Sequence, residues 1–153
     1  MHRLYENEDL VVFWNSEKCF HAKKCVTGSP KTFDINKKPW INLEGADNKE
    51  VWQAIQKCPS GALKCLYRHN VDIRYEPEKC RTAAYDGGKM IGECDYEESD
   101  GGWNIYHTEV LPEYEGKGIA KRLVYKLIEE SERNKALLSA TCWYARKVIE
   151  DSD

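Results

Sequence analysis

The spacing of three cysteines constrains this chain more than any other feature of its sequence. Five residues separate Cys19 from Cys25, and Cys58 follows much later with a proline directly after it. Iron–sulfur clusters are held by cysteine thiolates, commonly in a short loop whose last ligand is a distant Cys-Pro. The midpoint of this loop, where a further cysteine is common, is Ala22. The pattern therefore predicts a thiolate site with one ligand fewer than usual.

The composition and charge of the 153 residues indicate one or two small domains. Residues 1–68 carry 11 basic and 8 acidic side chains, whereas the rest carries 12 and 18. Opposite charges favour two units, and no basic stripe with interleaved aromatic residues indicates nucleic-acid binding. The sequence has neither the apolar stretch of a secretory signal nor a run of membrane-spanning length. We expect a cytoplasmic protein whose cysteines serve metal binding or catalysis, not disulfides.

The pattern of apolar residues and turns predicts an α+β protein with domains at 1–68 and 80–153, joined by a linker at 69–79. The first domain is predicted to contain a strand over 9–14, a helix over 51–55 opened by a capping box at Asp47 and Glu50, and a strand over 63–67. The second is predicted to contain a hairpin at Asp86-Gly87-Gly88, a strand over 103–110, a helix over 119–132, a strand over 137–141 and a final short helix.

The cysteines lie within a longer set of characteristic residues: Cys19-x-His21-x3-Cys25, Val26, Pro30, Phe33, Pro39-Trp40-Ile41 and Cys58-Pro59-Ser60-Gly61-Ala62-Leu63. With these residues, the segment 9–68 resembles the divergent mono-cluster ferredoxin-like family. The resemblance implies a small ferredoxin-like iron–sulfur domain with Cys19, Cys25 and Cys58 as cluster ligands.

Two features of this site leave alternatives open. Three thiolates suit a 3Fe–4S cluster, whereas His21 as a fourth ligand would permit 4Fe–4S and raise the reduction potential. Cys65 could instead complete a four-cysteine zinc site, or it could be a small buried apolar residue. Lysines lie within and after the cysteine loop, and they form either a solvated surface or a docking face for an acidic redox partner protein. The lysines concerned are Lys23, Lys24, Lys31, Lys37 and Lys38.

A glycine-containing loop separates a predicted strand from a predicted helix in the second half. Gly116 and Gly118 have no side chains to obstruct a phosphate, and the N–H groups of Ile119, Ala120 and Lys121 open the helix. A helix N-terminus binds anions through its unpaired donors and its dipole. Lys117 adds positive charge, so this loop predicts a site for a phosphorylated ligand.

The same region contains Ile105-Tyr106-His107-Thr108-Glu109-Val110, then Pro112-Glu113-Tyr114-Glu115-Gly116-Lys117-Gly118-Ile119-Ala120, and finally Cys142-Trp143-Tyr144. With these residues, the segment 80–153 resembles the small GNAT-type N-acetyltransferase family. The resemblance implies a minimal GNAT-like α/β domain that binds acetyl-CoA or CoA. The implied contacts are Val110, Gly116, Lys117, Gly118, Ile119, Ala120 and Lys121. Two positions depart from the family pattern: Glu113 replaces Gln or Arg, and Ala140 replaces proline.

Three residues are candidates for the chemistry of acyl transfer. Cys142 could accept the acetyl group as a nucleophile, with His107 as base and Tyr144 as proton donor. Alternatively, the amine attacks the thioester directly, and Cys142 is an inert thiol. The sequence predicts an iron–sulfur protein fused to a small N-acyltransferase that acts on an amine and is regulated by the redox state of the cluster. The rival prediction is a non-enzymatic electron carrier or redox sensor whose second domain binds CoA or a partner.

Overall fold

The polypeptide divides after Arg68 into two compact units, Met1–Arg68 and His69–Asp153, in a computed structural model. The structure describes residues 1–19 and 24–152. Each unit combines its own sheet with its own helices, which confirms the predicted α+β class. Within the described residues, no helix is both long enough and apolar enough to cross a membrane.

A three-stranded antiparallel sheet with β2 in its centre forms the N-terminal unit. Strands β2, Leu10–Asn15, and β3, Leu63–Tyr67, agree with the two predicted strands to within one residue. Strand β1, His2–Glu6, is an addition to the predicted elements and pairs with β2. The helices of this unit are α1, Lys24–Gly28, and α2, Asn48–Gln56.

Helix α2 begins where the capping residues predict. The Asp47 carboxylate accepts a hydrogen bond of 2.8 Å from the Glu50 N–H, which satisfies one of the donors that every helix start leaves unpaired. Val51, Ala54 and Ile55 recur at helical spacing and are buried in the core that covers the sheet. This packing holds the C-terminal end of α2 in place, and Cys58 comes immediately after the cap residue Lys57.

A five-stranded sheet in the order β4-β5-β6-β7-β8 forms the C-terminal unit. Strands β4 to β7 pair antiparallel, whereas β7 and β8 are parallel and connected through α3. Helix α3 packs on the sheet with Leu123, Val124 and Leu127 fully buried. The elements are β4 Asp72–Glu76, β5 Arg81–Asp86, β6 Lys89–Ser99, β7 Gly102–Val110, α3 Ile119–Arg133, β8 Leu137–Ala140 and α4 Trp143–Ser152.

The structure differs from the prediction over residues 69–79, where β4 replaces the expected linker. Ile73 lies opposite Ala84, and Tyr75 opposite Thr82, in a regular antiparallel pairing with β5. The Tyr75 hydroxyl is 3.1 Å from that of Tyr96. Charged residues alternate with Ile73 and Tyr75 along β4. This alternation is typical of a strand that has one face on the core and the other toward solvent. Residues 72–76 are therefore part of the second sheet.

Candidate functional site

Cys19, Cys25 and Cys58 line one cavity in the N-terminal unit, although three different segments carry them. Cys19 follows the turn after β2, Cys25 lies in α1 and Cys58 follows α2. Trp14 and Trp40 also line this cavity. The three thiols that the spacing predicts to act together therefore share one site.

The loop after Cys58 directs hydrogen-bond donors at the Cys58 sulfur. Burial raises the pKa of this thiol, but hydrogen bonds from the Ser60 side chain and from the N–H groups of Leu63, Ala62 and Ser60 outweigh burial, so the pKa is lowered. The Ser60 hydroxyl lies 3.4 Å from Cys58 Sγ. Gly61 has a φ of +70°, a left-handed conformation that glycine adopts without strain. This loop is built to stabilise a thiolate at Cys58.

The pKa of the neighbouring Cys25 thiol is shifted in the opposite direction, upward. Burial raises the pKa of its thiol, and charge on Cys58 and on Cys19 raises it further. Three thiolates around one small cavity repel each other unless a cation lies between them. The electrostatics of the three cysteines therefore fit a site for a positively charged metal centre.

Aromatic side chains form the wall of the cysteine cavity. The rings of Trp14 and Trp40 meet edge to face with centroids 5.0 Å apart, and Phe33 lies 5.7 Å from Trp40. The indole Nε1 atoms of both tryptophans are buried, and neither has a hydrogen-bond partner among the described residues. Unsatisfied buried N–H groups are rare because each is energetically costly. Donors of this kind suit an iron–sulfur cluster, whose sulfur atoms accept hydrogen bonds.

A larger cavity of about 750 Å³ shares Trp14, Cys19, Cys25 and Trp40 with the cysteine site. Its remaining walls are largely apolar, but three basic side chains stand among them. These are Arg3, Lys37 and Lys38. An approach to the cysteines is therefore lined with apolar surface and positive charge.

Cys65 and His21 are the two further candidate ligands from the sequence. Cys65 is 8% exposed in the core of the N-terminal unit, where burial raises the pKa of its thiol to about 12. It does not line the cavity of the other three cysteines. The structure thus assigns Cys65 to packing instead of a four-cysteine zinc site. His21 lies outside the described residues.

In the C-terminal unit, β7 has an open edge over its second half. The parallel pairing with β8 ends at Ile105 and Ala140, and β8 departs there into α4. Residues 107–110 pair with β6 on one side, and residues 106–110 pair with no strand of the described chain on the other. Half of the backbone donors and acceptors of this segment therefore remain available, and Val110 lies at its end.

A one-residue bulge interrupts β7 beside this open edge. Asp95 lies opposite His107 and Tyr96 opposite Ile105, so Tyr106 has no partner in the register. Because successive residues of a strand point to opposite faces, one extra residue reverses the faces that follow. Thr108 thus contacts buried Cys94, whereas His107 is turned outward with its ring 3.3 Å from the Glu109 carboxylate.

The glycine loop ends at the N-terminus of α3. Gly116 and Gly118 have φ values of +78° and +74°, which explains glycine at both positions. Gly118 caps the helix without a side-chain hydrogen bond, and the first turn contains no acidic residue. The first N–H groups of any helix lack intrahelical acceptors, and here the first turn includes Ile119, Ala120 and Lys121. This arrangement can bind an anionic group.

Cys142 lies where β8 departs from β7. Its N–H donates to the Ile105 carbonyl at 3.1 Å, and its thiol donates to the Thr108 hydroxyl at 3.7 Å. The Thr108 hydroxyl in turn donates to Cys94 Sγ at 3.6 Å. A hydroxyl group therefore joins the partly exposed thiol of Cys142 to the fully buried thiol of Cys94.

The other two candidate catalytic residues lie differently with respect to Cys142. Burial raises the pKa of the Tyr144 phenol, and charge on Cys142 and on Cys94 would raise it further. His107 faces away from the side on which Thr108 meets Cys142. Tyr144 therefore lies within electrostatic range of Cys142, whereas His107 lies on the opposite face of β7. Thr108 does not stand out in the sequence, because only the bulge reveals which face it occupies.

Family models match each half of the chain separately. Residues 5–68 match the family described as "Divergent 4Fe-4S mono-cluster", and residues 81–153 match the family described as "GCN5-related N-acetyl-transferase". The uncharacterized protein YjdI of Escherichia coli K12 is 43% identical over 68 residues, which is 44% of this chain and 87% of YjdI. Each half of the chain therefore matches a different family: the N-terminal unit matches a divergent iron–sulfur family, and the C-terminal unit matches the GCN5-related N-acetyltransferases.

Solved structures with some similarity are also GCN5-related proteins. A GNAT-family protein from Desulfovibrio desulfuricans is 18% identical with a TM-score of 0.40, over 47% of this chain and 52% of that one. A GCN5-related N-acetyltransferase from Sphaerobacter thermophilus is 15% identical with a TM-score of 0.43, over 97% of this chain and 42% of that one. The chain thus spans about half the length of these proteins. Likeness this distant supports no argument about activity.

Proposed function

We propose that this protein is an acetyl-CoA-dependent N-acyltransferase whose activity responds to the redox state of an iron–sulfur cluster in its own N-terminal unit. The observation that carries the transferase proposal is the position of Cys142. Its thiol is held where β8 leaves β7, next to the open strand edge of residues 106–110. A nucleophile therefore lies next to a strand edge that has no strand partner within the described part of the chain.

Acetyl-CoA is expected to bind across this edge and the glycine loop. The pyrophosphate is assigned to the N-terminus of α3, where Lys117 and Lys121 add positive charge. Backbone groups up to Val110 on the open edge would hold the pantetheine arm in the manner of an added strand. A free β7 N–H near the bulge would polarise the thioester carbonyl. The thioester is then presented to Cys142.

The proposed reaction has two balanced steps. In the first, Cys142 Sγ attacks the acetyl carbonyl, the bond to the CoA sulfur breaks, and the products are S-acetyl-Cys142 and CoA thiol. In the second, a neutral amine attacks the acetyl-cysteine, which yields the acetamide and restores the Cys142 thiol. The pKa of the Tyr144 phenol is raised by burial above its ordinary value of about 10, so Tyr144 is protonated at neutral pH and could donate a proton to the departing CoA sulfur.

In the N-terminal unit, Cys19, Cys25 and Cys58 would hold the cluster, which supplies one-electron redox chemistry. The lowered pKa of Cys58 supports this assignment, as do the two buried indole N–H groups that have no partner among the described residues. The ring of Trp40, packed between Trp14 and Phe33, would exclude water from the sulfur atoms. Hydrogen bonds and solvent exclusion of this kind set the potential of such clusters.

The proposed activity is tested by acetyl-CoA turnover with a panel of primary amines, using protein whose cluster is oxidised or reduced. We expect turnover with at least one amine and a several-fold difference between the two redox states. Equal rates in both states would contradict redox regulation. The absence of turnover with every amine, combined with reversible cycling of the cluster, would favour an electron carrier or sensor. The basic, apolar cavity beside Cys19 and Cys25 is the observation that favours this second function.

Replacing Gly118 by glutamate is expected to abolish CoA binding. The carboxylate would lie at the helix N-terminus and repel the pyrophosphate, and the φ of +74° disfavours any side chain. In the wild-type protein, CoA at about 100 times its dissociation constant should stabilise the fold by about 2.7 kcal/mol, measured as a rise in melting temperature. Gly118→Ala is the matched control, since it imposes the same backbone strain without the charge. A CoA-induced rise that survives in Gly118→Glu would place the site elsewhere.

A further inference from the structure

A chain of three hydrogen-bonding groups runs from the candidate nucleophile into the core of the C-terminal unit. The Cys142 thiol donates to the Thr108 hydroxyl at 3.7 Å, and that hydroxyl donates to Cys94 Sγ at 3.6 Å. Cys94 lies directly opposite Thr108 in the pairing of β6 with β7. Strand pairing therefore fixes two members of the chain, and the turn after β8 supplies the third.

The middle group can reverse its direction. A hydroxyl is one donor and also an acceptor, and its hydrogen rotates about the C–O bond. If Cys142 loses its proton, the Thr108 hydrogen can turn from Cys94 to the Cys142 sulfur, while the Cys94 thiol donates to the Thr108 oxygen. No heavy atom has to move, so the thiolate gains a donor at once.

The far end of the chain is suited to remain a donor. Cys94 is fully buried, and burial raises the pKa of its thiol to about 12, so it keeps its proton near neutral pH. The Thr82 side chain also contacts Cys94, and the Thr82 hydroxyl donates to the Leu123 carbonyl at 2.9 Å. Helix α3 and β5 thereby hold this end of the chain.

We propose that Thr108, supported by the buried thiol of Cys94, is a positioning residue that stabilises and orients the thiolate of Cys142. This inference rests on the proposed role of Cys142 as acyl acceptor. A hydrogen bond to a charged group contributes more than one between neutral groups, about 1.5–3 kcal/mol. Its loss corresponds to a reduction of roughly tenfold or more in the reactivity of Cys142.

Alkylation of Cys142 by iodoacetamide tests the inference without acetyl-CoA. The rate is followed by mass spectrometry of the Cys142 peptide in the full-length protein, at one fixed pH. We expect Thr108→Val to react about tenfold more slowly than wild type, and Thr108→Ser, which restores the hydroxyl, to react within about twofold. In acetyl transfer, Thr108→Val should lower kcat and leave the KM for acetyl-CoA unchanged.

Two further variants separate the hydrogen-bond chain from general packing. Thr141→Val makes the same chemical change next to Cys142, at a hydroxyl that accepts a hydrogen bond from the Asn104 side chain at 3.2 Å, and should alkylate at the wild-type rate. Cys94→Ala should slow alkylation in the wild-type background but have no further effect on Thr108→Val, because the link is already broken. Cys94→Ser, which keeps a donor, should retain most of the reactivity.

The outcomes distinguish this inference from the proposed function. Wild-type alkylation rates in Thr108→Val, or equal losses in Thr108→Ser and Thr108→Val, would overturn the role of Thr108. If Thr108→Val slows alkylation but acetyl transfer stays at the wild-type rate, the hydrogen-bond chain is supported and the assignment of Cys142 as acyl acceptor is contradicted.

Discussion

Cys58→Ala is expected to produce protein without iron and without acid-labile sulfide. The environment of Cys58 stabilises its thiolate, because hydrogen bonds from the Ser60 hydroxyl and from the backbone N–H groups that follow lower the pKa of this thiol. Its loss would leave two of the three described candidate ligands, which is too few to retain a cluster. The wild-type protein, purified without oxygen, should be brown and contain both iron and sulfide.

Cys65→Ala is the matched control for this variant. Cys65 belongs to the same unit but lies in its core, away from the cavity of the other cysteines. Its iron and sulfide content should equal that of the wild type, although loss of the buried sulfur lowers the stability of the fold. Stoichiometric zinc without sulfide in the wild type, or an intact cluster in Cys58→Ala, would contradict the assignment of the three ligands.

Cys142→Ala is expected to lower acetyl transfer to amines roughly a thousandfold or more, because it removes the atom that accepts the acetyl group. Binding of CoA should persist, since the glycine loop and α3 are untouched. The expected signature is therefore a normal CoA-induced rise in melting temperature combined with almost no turnover.

Cys80→Ala serves as the control for Cys142→Ala, because Cys80 is also a partly buried free thiol of the C-terminal unit. Its turnover should match that of the wild type. If Cys142→Ala keeps substantial activity, the amine attacks the thioester directly, and the polarised carbonyl suffices for catalysis without a cysteine intermediate.

Local signals in the sequence predicted most of the elements that position the candidate sites. Asp47 forms the predicted cap of α2, and the two-residue turn Gly87-Gly88 joins β5 to β6. Strand β4 is different, because its charged residues beside Pro77 suggest a linker, and only its pairing with β5 makes it a strand. An edge strand depends on contacts that are distant in sequence, so short-range patterns do not reveal it.

In the C-terminal unit, short-range sequence patterns likewise fail to reveal a one-residue bulge. Without the bulge at Tyr106, regular alternation from Trp103 and Ile105 would turn His107 toward the buried face. With the bulge, Thr108 occupies that face and His107 faces outward. Nothing in the local sequence marks the bulge, so the sequence did not identify Thr108 as a residue of this site.

The intact mass of the wild-type protein after incubation with acetyl-CoA, in the absence of any amine, tests the central claim most directly. The proposed mechanism predicts an added mass of one acetyl group, located at Cys142 by peptide mapping and removed when an accepted amine is supplied. A protein that turns over acetyl-CoA with an amine yet never carries an acetyl group on Cys142 would contradict this mechanism.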